Sequence, residues 1–356
     1  MPGGVAYQPQ LDGLRALAVL LVIAFHARGA QFPGGYIGVD VFFVLSGFLI
    51  TSILAAEHAR HGRISFGRFY FRRALRLLPA LILVCAVVGA AWIWVPALPD
   101  RRATLIGDIA ALTYTSAPIA ASGASDLGAM LPTWSLSVEE YFYFVWPLLF
   151  IVLLRRFRDR ADLVVAVLVA VAIAYRLYVA VGTDWSITRI AYGPDARAEQ
   201  LLLGCALALL LRRYSASIRT WQVLLAAAVL GAFVLAPATA TSPVYLYGGS
   251  TAIAVITALL IAHLVGSPGA PVSRLLALPP LVWIGQRSYG IYLWNLPLIA
   301  MVAATSLGSS TQLAAKLVLS FAIPALSYRF LEAPFLRLKD RFSSIPTPGR
   351  DAAIRP

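Results

Sequence analysis

Runs of mainly apolar residues, separated by short polar or basic segments, repeat along the chain from residue 11 to residue 331. A helix needs about 20 such residues to cross a hydrocarbon core of about 30 Å at about 1.5 Å per residue. Runs meeting that need lie at 11–28, 36–56, 77–95, 134–154, 161–181, 221–238, 246–266, 284–304 and 312–331. A shorter one at 198–211 reaches span length only with residues from about 192 included. The pattern predicts an all-α integral membrane protein, a bundle of about ten transmembrane helices. Segment 102–121 is moderately apolar but carries Asp108. It is expected outside, as an interfacial or re-entrant piece, because a further span there would break the charge alternation downstream.

Composition agrees: 60% hydrophobic and 13% charged residues, with a mean hydropathy of +0.79, lie outside the soluble range. The net charge of +13 would suit a nucleic-acid partner, but its distribution excludes that reading. Segments 57–76, 155–160, 212–219, 267–287 and 329–356 hold 21 of the 29 basic residues. They alternate with the spans as the positive-inside rule requires if both termini are cytoplasmic. The first run lacks a basic leader, is interrupted by Asp12 and Arg15, and precedes no small-residue cleavage site. It is therefore expected to be a retained helix. Cys85 and Cys205 both fall in apolar runs, so neither a disulfide framework nor a metal site is expected. A transmembrane domain is assigned to 1–340, with 341–356 as a disordered cytoplasmic tail.

Ionisable residues inside spans cost about 2.5–3.5 kcal/mol on insertion scales, so each one is a functional candidate. In the first helix Asp12, Arg15 and His26 fall within about 60° of one another around the axis. Arg15 and His26 are about 16 Å apart along that face. Local pairing of Asp12 with Arg15 explains those two but not His26. Asp40 lies near the level of His26, where it would either cap its helix or orient the imidazole as a general base. Gly35, Gly38, Ser46 and Gly47 suit close helix packing. Arg72, Arg73 and Arg76 stand at the cytoplasmic entrance of the third span. Their forked guanidinium groups suit phosphate, although spacing alone favours a membrane anchor. Glu139 and Glu140 are expected about one turn inside the outer interface, one facing a basic residue such as Arg197 and the other a cavity. Asp195, Arg197 and Glu199 mark the outer mouth of the 198–211 helix, His263 reads as a packing histidine, and His58 and His61 as solvated.

These residues, in this order, resemble the acyltransferase 3 family of bacterial membrane acyltransferases. The resemblance rests on LDGLRALAVLLVIAFHA at 11–27, GGYIGVDVFFVLSGFLIT at 34–51, FYFRRALRLLPA at 69–80 and TWSLSVEEYFYFVWPL at 133–148. RAEQLLLG at 197–204, SYGIYLWNLPL at 288–298 and YRFLEAPF at 328–335 match more loosely. The resemblance implies a ten-helix core in the bacterial inner (cell) membrane that moves acetyl or related groups onto sugars of envelope polysaccharides, peptidoglycan, exported glycans or small secreted molecules. It implies a cytoplasmic acyl-CoA donor, no bound cofactor, and essential roles for His26 and Arg15. It places the family's arginine motif on Arg72, Arg73 and Arg76, and its late glutamate on Glu332. The chain departs at Asn295, where many relatives have histidine after Leu-Trp. Asparagine hydrogen-bonds but is no base at neutral pH.

Joined to the polar stripe, the resemblance predicts a CoA donor held by Arg72, Arg73 and Arg76, with Arg15 at the entrance. The thioester would lie near His26, which takes the proton of a carbohydrate or glycolipid hydroxyl, or else relays the acyl group itself. Asp40 or one of Glu139 and Glu140 would steady the imidazolium. The competing class is a secondary transporter or exporter of glycan intermediates, which predicts paired repeats with interrupted helices. No such repeat is visible in the sequence. Homo-oligomerisation and the acceptor's identity are left open.

Overall fold

The computed structural model describes residues 7–214, 218–236 and 240–341, and among those residues the regular structure is helix alone, with no strand. The α-helices run in the order α1 (Pro9–Arg28), α2 (Gly38–His61), α3 (Phe66–Trp94), α4 (Arg101–Leu112), α5 (Ser116–Ser122), α6 (Thr133–Arg156), α7 (Ala161–Gly182) and α8 (Ile187–Tyr192). They continue with α9 (Ala198–Arg213), α10 (Thr220–Leu235), α11 (Ser250–Gly266), α12 (Pro271–Leu276), α13 (Pro279–Gln286), α14 (Ser288–Ala303), α15 (Ser309–Ser327) and α16 (Ala333–Arg341). Of the tail expected at 341–356, only Arg341, the last residue of α16, is among the described residues.

Among the described residues seven helical stretches are long and apolar enough to cross a bilayer: Pro9–Arg28, Gly35–His61, Phe66–Trp94, Thr133–Arg156, Ala161–Gly182, Tyr245–Gly266 and Ser309–Leu338. The three other expected runs are the 16-residue helices α9, α10 and α14. Each is about 24 Å long, less than the thickness of a typical core. The run at 284–304, read as one, is divided at Arg287 between α13 and α14. Segment 102–121 is likewise divided. Its first piece, α4, is about 18 Å long, and the chain then turns through Tyr114, whose φ of 55° is left-handed.

Burial follows from which face meets lipid. Phe144, Leu148 and Val152 of α6, Leu163, Val167 and Val171 of α7, and Leu224 and Leu225 of α10 are exposed. An apolar surface that wide belongs against acyl chains. At the centre is α2, buried along most of its length and packed against α1, α6, α9 and α11. Its contact with α9 is backbone to backbone. A Cβ on Gly47 would lie 1.9 Å from the Leu201 carbonyl oxygen, and one on Gly204 would lie 2.1 Å from that of Val44. Only glycine at both places lets these two helices approach so closely, as small residues do in membrane bundles.

Candidate active site

Two groups of charged side chains sit among these helices. The first surrounds a cavity of about 350 Å³. It is lined by Asp12 and Arg15 of α1, Ser46 of α2, Arg73 and Arg76 of α3, and Glu139 of α6. Arg15 Nε donates to Ser288 Oγ (3.2 Å), whereas Asp12 accepts from the Tyr7 hydroxyl (2.7 Å). The local Asp12–Arg15 pair is thus replaced by contacts to other segments. Ser46 donates to Glu139 (2.6 Å), so this serine holds a carboxylate as well as permitting close packing. Arg73 pairs with Glu140 (3.2 Å) and stacks on Tyr143, and Arg72 faces Glu57 (4.0 Å).

The glutamate expectations therefore need correction. Glu139 does face the cavity, but Glu140 meets Arg73, not Arg197. Nor can the arginines sit at one membrane face while the glutamates sit near the other, since Arg73 and Glu140 touch. The reason is the length of α3. It begins at Phe66, not near residue 77, and spans about 44 Å. The arginines are therefore inside the helix, opposite the body of α6.

A stripe on α14 organises the rest. Ser288, Tyr292 and Asn295 lie within about 60° of one another around its axis. Ser288 meets Arg15, the Tyr292 hydroxyl meets Ser135 Oγ (2.7 Å) and the Pro132 carbonyl (2.9 Å), and Asn295 meets His26. Thus α1 and α14 run side by side in the same direction. Tyr292 and Ser135 line the cavity, and Asn295 is about one turn of α14 further on. His26 stands just beyond the cavity lining rather than in it.

The contact at His26 has a definite polarity. Asn295 is fully buried; its amide nitrogen donates to Ser320 Oγ (3.3 Å), and its amide oxygen lies 2.6 Å from His26 Nδ1. With the amide oxygen, which can only accept, turned toward the ring, the neutral imidazole carries its proton on Nδ1 and keeps the lone pair on Nε2. Glu332, buried, accepts from Ser327 (3.3 Å) and lies against Gly290 of α14.

The second group is closed. Asp40 accepts from Arg197 (3.3 Å), from the Tyr245 hydroxyl (2.8 Å) and from Gln200. Arg197 also donates to Tyr245 and to the Ala191 carbonyl (2.7 Å). Glu199 pairs with Arg176 (3.4 Å) and accepts from Ser250 and Thr251. Exposures of 0–3% at Asp40, Arg176, Arg197 and Glu199 show that it opens on nothing. Asp40 consequently does not orient His26. Its hydroxyl partner Tyr245 is in edge contact with Tyr36, and Tyr36 in turn with Phe25. Sequence reasoning missed Arg176, Gln200 and Tyr245 here, and Ser135, Ser288 and Tyr292 at the cavity. Arg176 gave a signal as a lone arginine within an apolar run, and Gln200, Ser135, Ser288 and Tyr292 fall within the blocks that carry the family resemblance, whereas Tyr245 gave none. His263 is buried and bonds the Ile218 carbonyl (2.9 Å). Among the described residues no group of three or more His, Cys, Asp or Glu is set to hold a metal ion.

An acyltransferase-domain family model matches residues 8–329, from α1 into the turn before α16. The chain belongs to the acyltransferase 3 family. As a member of that family it is similar to the peptidoglycan O-acetyltransferase OatA of Listeria monocytogenes, 34% identical over 351 residues. That alignment covers 92% of this chain and 56% of the relative. The O-acetyltransferase OatA of Staphylococcus aureus is 31% identical over 348 residues, covering 92% of this chain and 57% of its own length. The chain spans little more than half the length of these curated relatives. No solved structure matches it.

Proposed function

We propose that this protein is a multi-pass O-acetyltransferase of the bacterial cell membrane that moves an acetyl group from a cytoplasmic acyl-CoA to a carbohydrate hydroxyl, with peptidoglycan the favoured acceptor. The relatives' names support the acceptor class. In this reading the chain crosses ten times with both ends cytoplasmic, as its basic segments suggest. The observation that carries the reading is the cavity itself. It gathers Arg15, Arg73 and Arg76 from two helices far apart in sequence and continues toward Tyr292, one turn short of the Asn295–His26 pair.

The arginines bind the donor's phosphates, as planar forks suited to bidentate contact. The pantetheine arm follows the stripe shared by α1 and α14 and brings its thioester past Ser135 and Tyr292. His26 Nε2 takes the proton of the acceptor hydroxyl as that oxygen attacks the thioester carbonyl. The carbon–sulfur bond then breaks, and the imidazolium returns the proton to the leaving thiolate. Asn295 holds the imidazole in the tautomer that leaves Nε2 free. In this scheme it takes over the steadying role first assigned to Asp40.

The test is mass spectrometry of envelope glycans from cells expressing wild type, His26→Ala or neither. An acetyl increment seen only with wild type, at matched amounts of folded protein in the membrane, is the expected result. General-base catalysis contributes about 10²–10⁴-fold, so an increment that survives in His26→Ala removes the histidine from the chemistry.

A further inference from the structure

A second concavity lies at the other ends of α2 and α6, where no part of the proposed reaction takes place. It measures about 540 Å³ and is lined by His58, Ala59 and Gly62 at the end of α2, and by Leu154, Arg155 and Arg158 at and after the end of α6. Arg155 and Arg158 are exposed, and His58 is half-buried with its Nδ1 buried and without a hydrogen-bond partner. Arg60, His61, Arg63, Arg156 and Arg160 are close to these lining residues in the chain. The nearby carboxylate of Glu57 is buried, accepts from the Ser65 backbone N–H and faces Arg72.

We infer that this hollow is a binding site for a phosphate group, the headgroup phosphate of an anionic membrane lipid or free phosphate. Two guanidinium groups supply forked donors and positive charge, and the His58 side chain forms part of the wall. Leu154 and Ala59 give the hollow an apolar wall, which suits the glycerol end of a lipid better than a bulk-water ion. The location agrees. The concavity sits where two spans end among basic residues, the level at which headgroups of an anionic leaflet lie. The helix C-termini there carry partial negative charge. Anion affinity must therefore come from Arg155 and Arg158 rather than from the backbone, so these two residues are the decisive ones. This inference does not depend on the acyl-transfer reading.

The experiment is native mass spectrometry of the full chain in a neutral detergent, titrated with phosphatidylglycerol, with phosphatidylcholine of the same tails, or with inorganic phosphate. Two variants of equal charge are compared: Arg155→Gln/Arg158→Gln inside the hollow and Arg60→Gln/Arg156→Gln outside it. Wild type should retain phosphatidylglycerol in preference to phosphatidylcholine, and the inner variant should weaken that binding about tenfold or more, the scale of a lost charge-assisted contact. The outer variant should bind as wild type does. Inorganic phosphate that competes with the lipid in wild type and not in the inner variant would identify phosphate as the recognised group. Without competition, the lipid is the ligand. Equal losses in both variants, or no loss in either, would overturn the site, the first by reducing it to general surface charge and the second by leaving the arginines to cap the helix ends.

Discussion

The two charged groups in the bundle use the same residue types to opposite ends. Around the cavity, Arg15, Arg73, Arg76, Asp12 and Glu139 keep part of their surface open to a space that a ligand can enter. Between α2, α7, α9 and α11, Asp40, Arg176, Arg197 and Glu199 spend their hydrogen bonds on one another and on Tyr245, Gln200, Ser250 and Thr251. A buried ion pair need not stabilise relative to an apolar substitute, but removing one partner strands the other. An intramembrane charge is therefore a site candidate only once its partners are known. The open group is free to exchange its contacts for those of a substrate, whereas the closed group can only hold helices together.

The largest effect expected on breaking this contrast is at the closed group. Arg197→Leu leaves Asp40 buried without its cation and should cost about 3–5 kcal/mol, read as a collapse of monodisperse protein in fluorescence-detected size exclusion. Gly47→Ala pushes a methyl group into the Leu201 carbonyl and should cost about 1–3 kcal/mol, the scale of overpacking, read as a lower Tm in detergent. At the open group the readout changes. Asn295→Leu removes the acceptor for His26 Nδ1–H, so acetyl transfer per folded molecule should fall, by less than in His26→Ala, with the donor's KM little changed. A variant with a raised KM and unchanged kcat would assign Asn295 to binding instead.

The smallest effect sharpens the comparison from outside both groups. Asp195 lies in the loop before α9, where it accepts from Arg189 (2.7 and 2.6 Å) and from Tyr175 (2.5 Å). Partial burial raises its pKa, but the Arg189 and Tyr175 contacts outweigh that and hold it at about 2. Because the folded pKa is below the ordinary value of 3.8, this contribution is complete above that value and is lost as pH falls through about 2. Solvent screens the pair, so the gain is small. Melting curves across that window should separate wild type from Asp195→Asn near neutrality and converge at the acid end.

Much of the fold was legible because the bilayer forces a simple code. Each expected run contains a helix, and segment 102–121, expected not to be a span, is divided between α4 and α5, although the break falls at Thr113–Thr115 rather than at Asp108. Less legible was where helices begin. The start of α3 at Phe66 was hidden because its first turns mix aromatic and arginine residues, which read as a loop plus an anchor. The site was legible in its residue types and not in its pairings. Arg15, Arg73, Arg76 and Glu139 do line one cavity, and the stripe from Asp12 to His26 does lie along one face. Which carboxylate meets which cation depends on contacts between helices, 67 residues apart in sequence for Arg73 and Glu140 and 157 for Asp40 and Arg197, and no local pattern encodes them. Asp40 shows this best. It was expected near the level of His26, but its neighbour Gly38 packs against Ala18 of α1, and its partners are Arg197, Gln200 and Tyr245.

The most direct test of the contrast measures acetyl transferred per folded molecule in Arg15→Gln and Arg197→Gln, with the folded amount determined on the same preparations. The account predicts that Arg15→Gln accumulates like wild type but transfers little. Arg197→Gln should accumulate poorly, while its folded survivors transfer at a rate near that of wild type. The reverse outcome, an active Arg15→Gln or a well-folded Arg197→Gln that transfers nothing, would contradict it by moving the chemistry from the open group to the closed one.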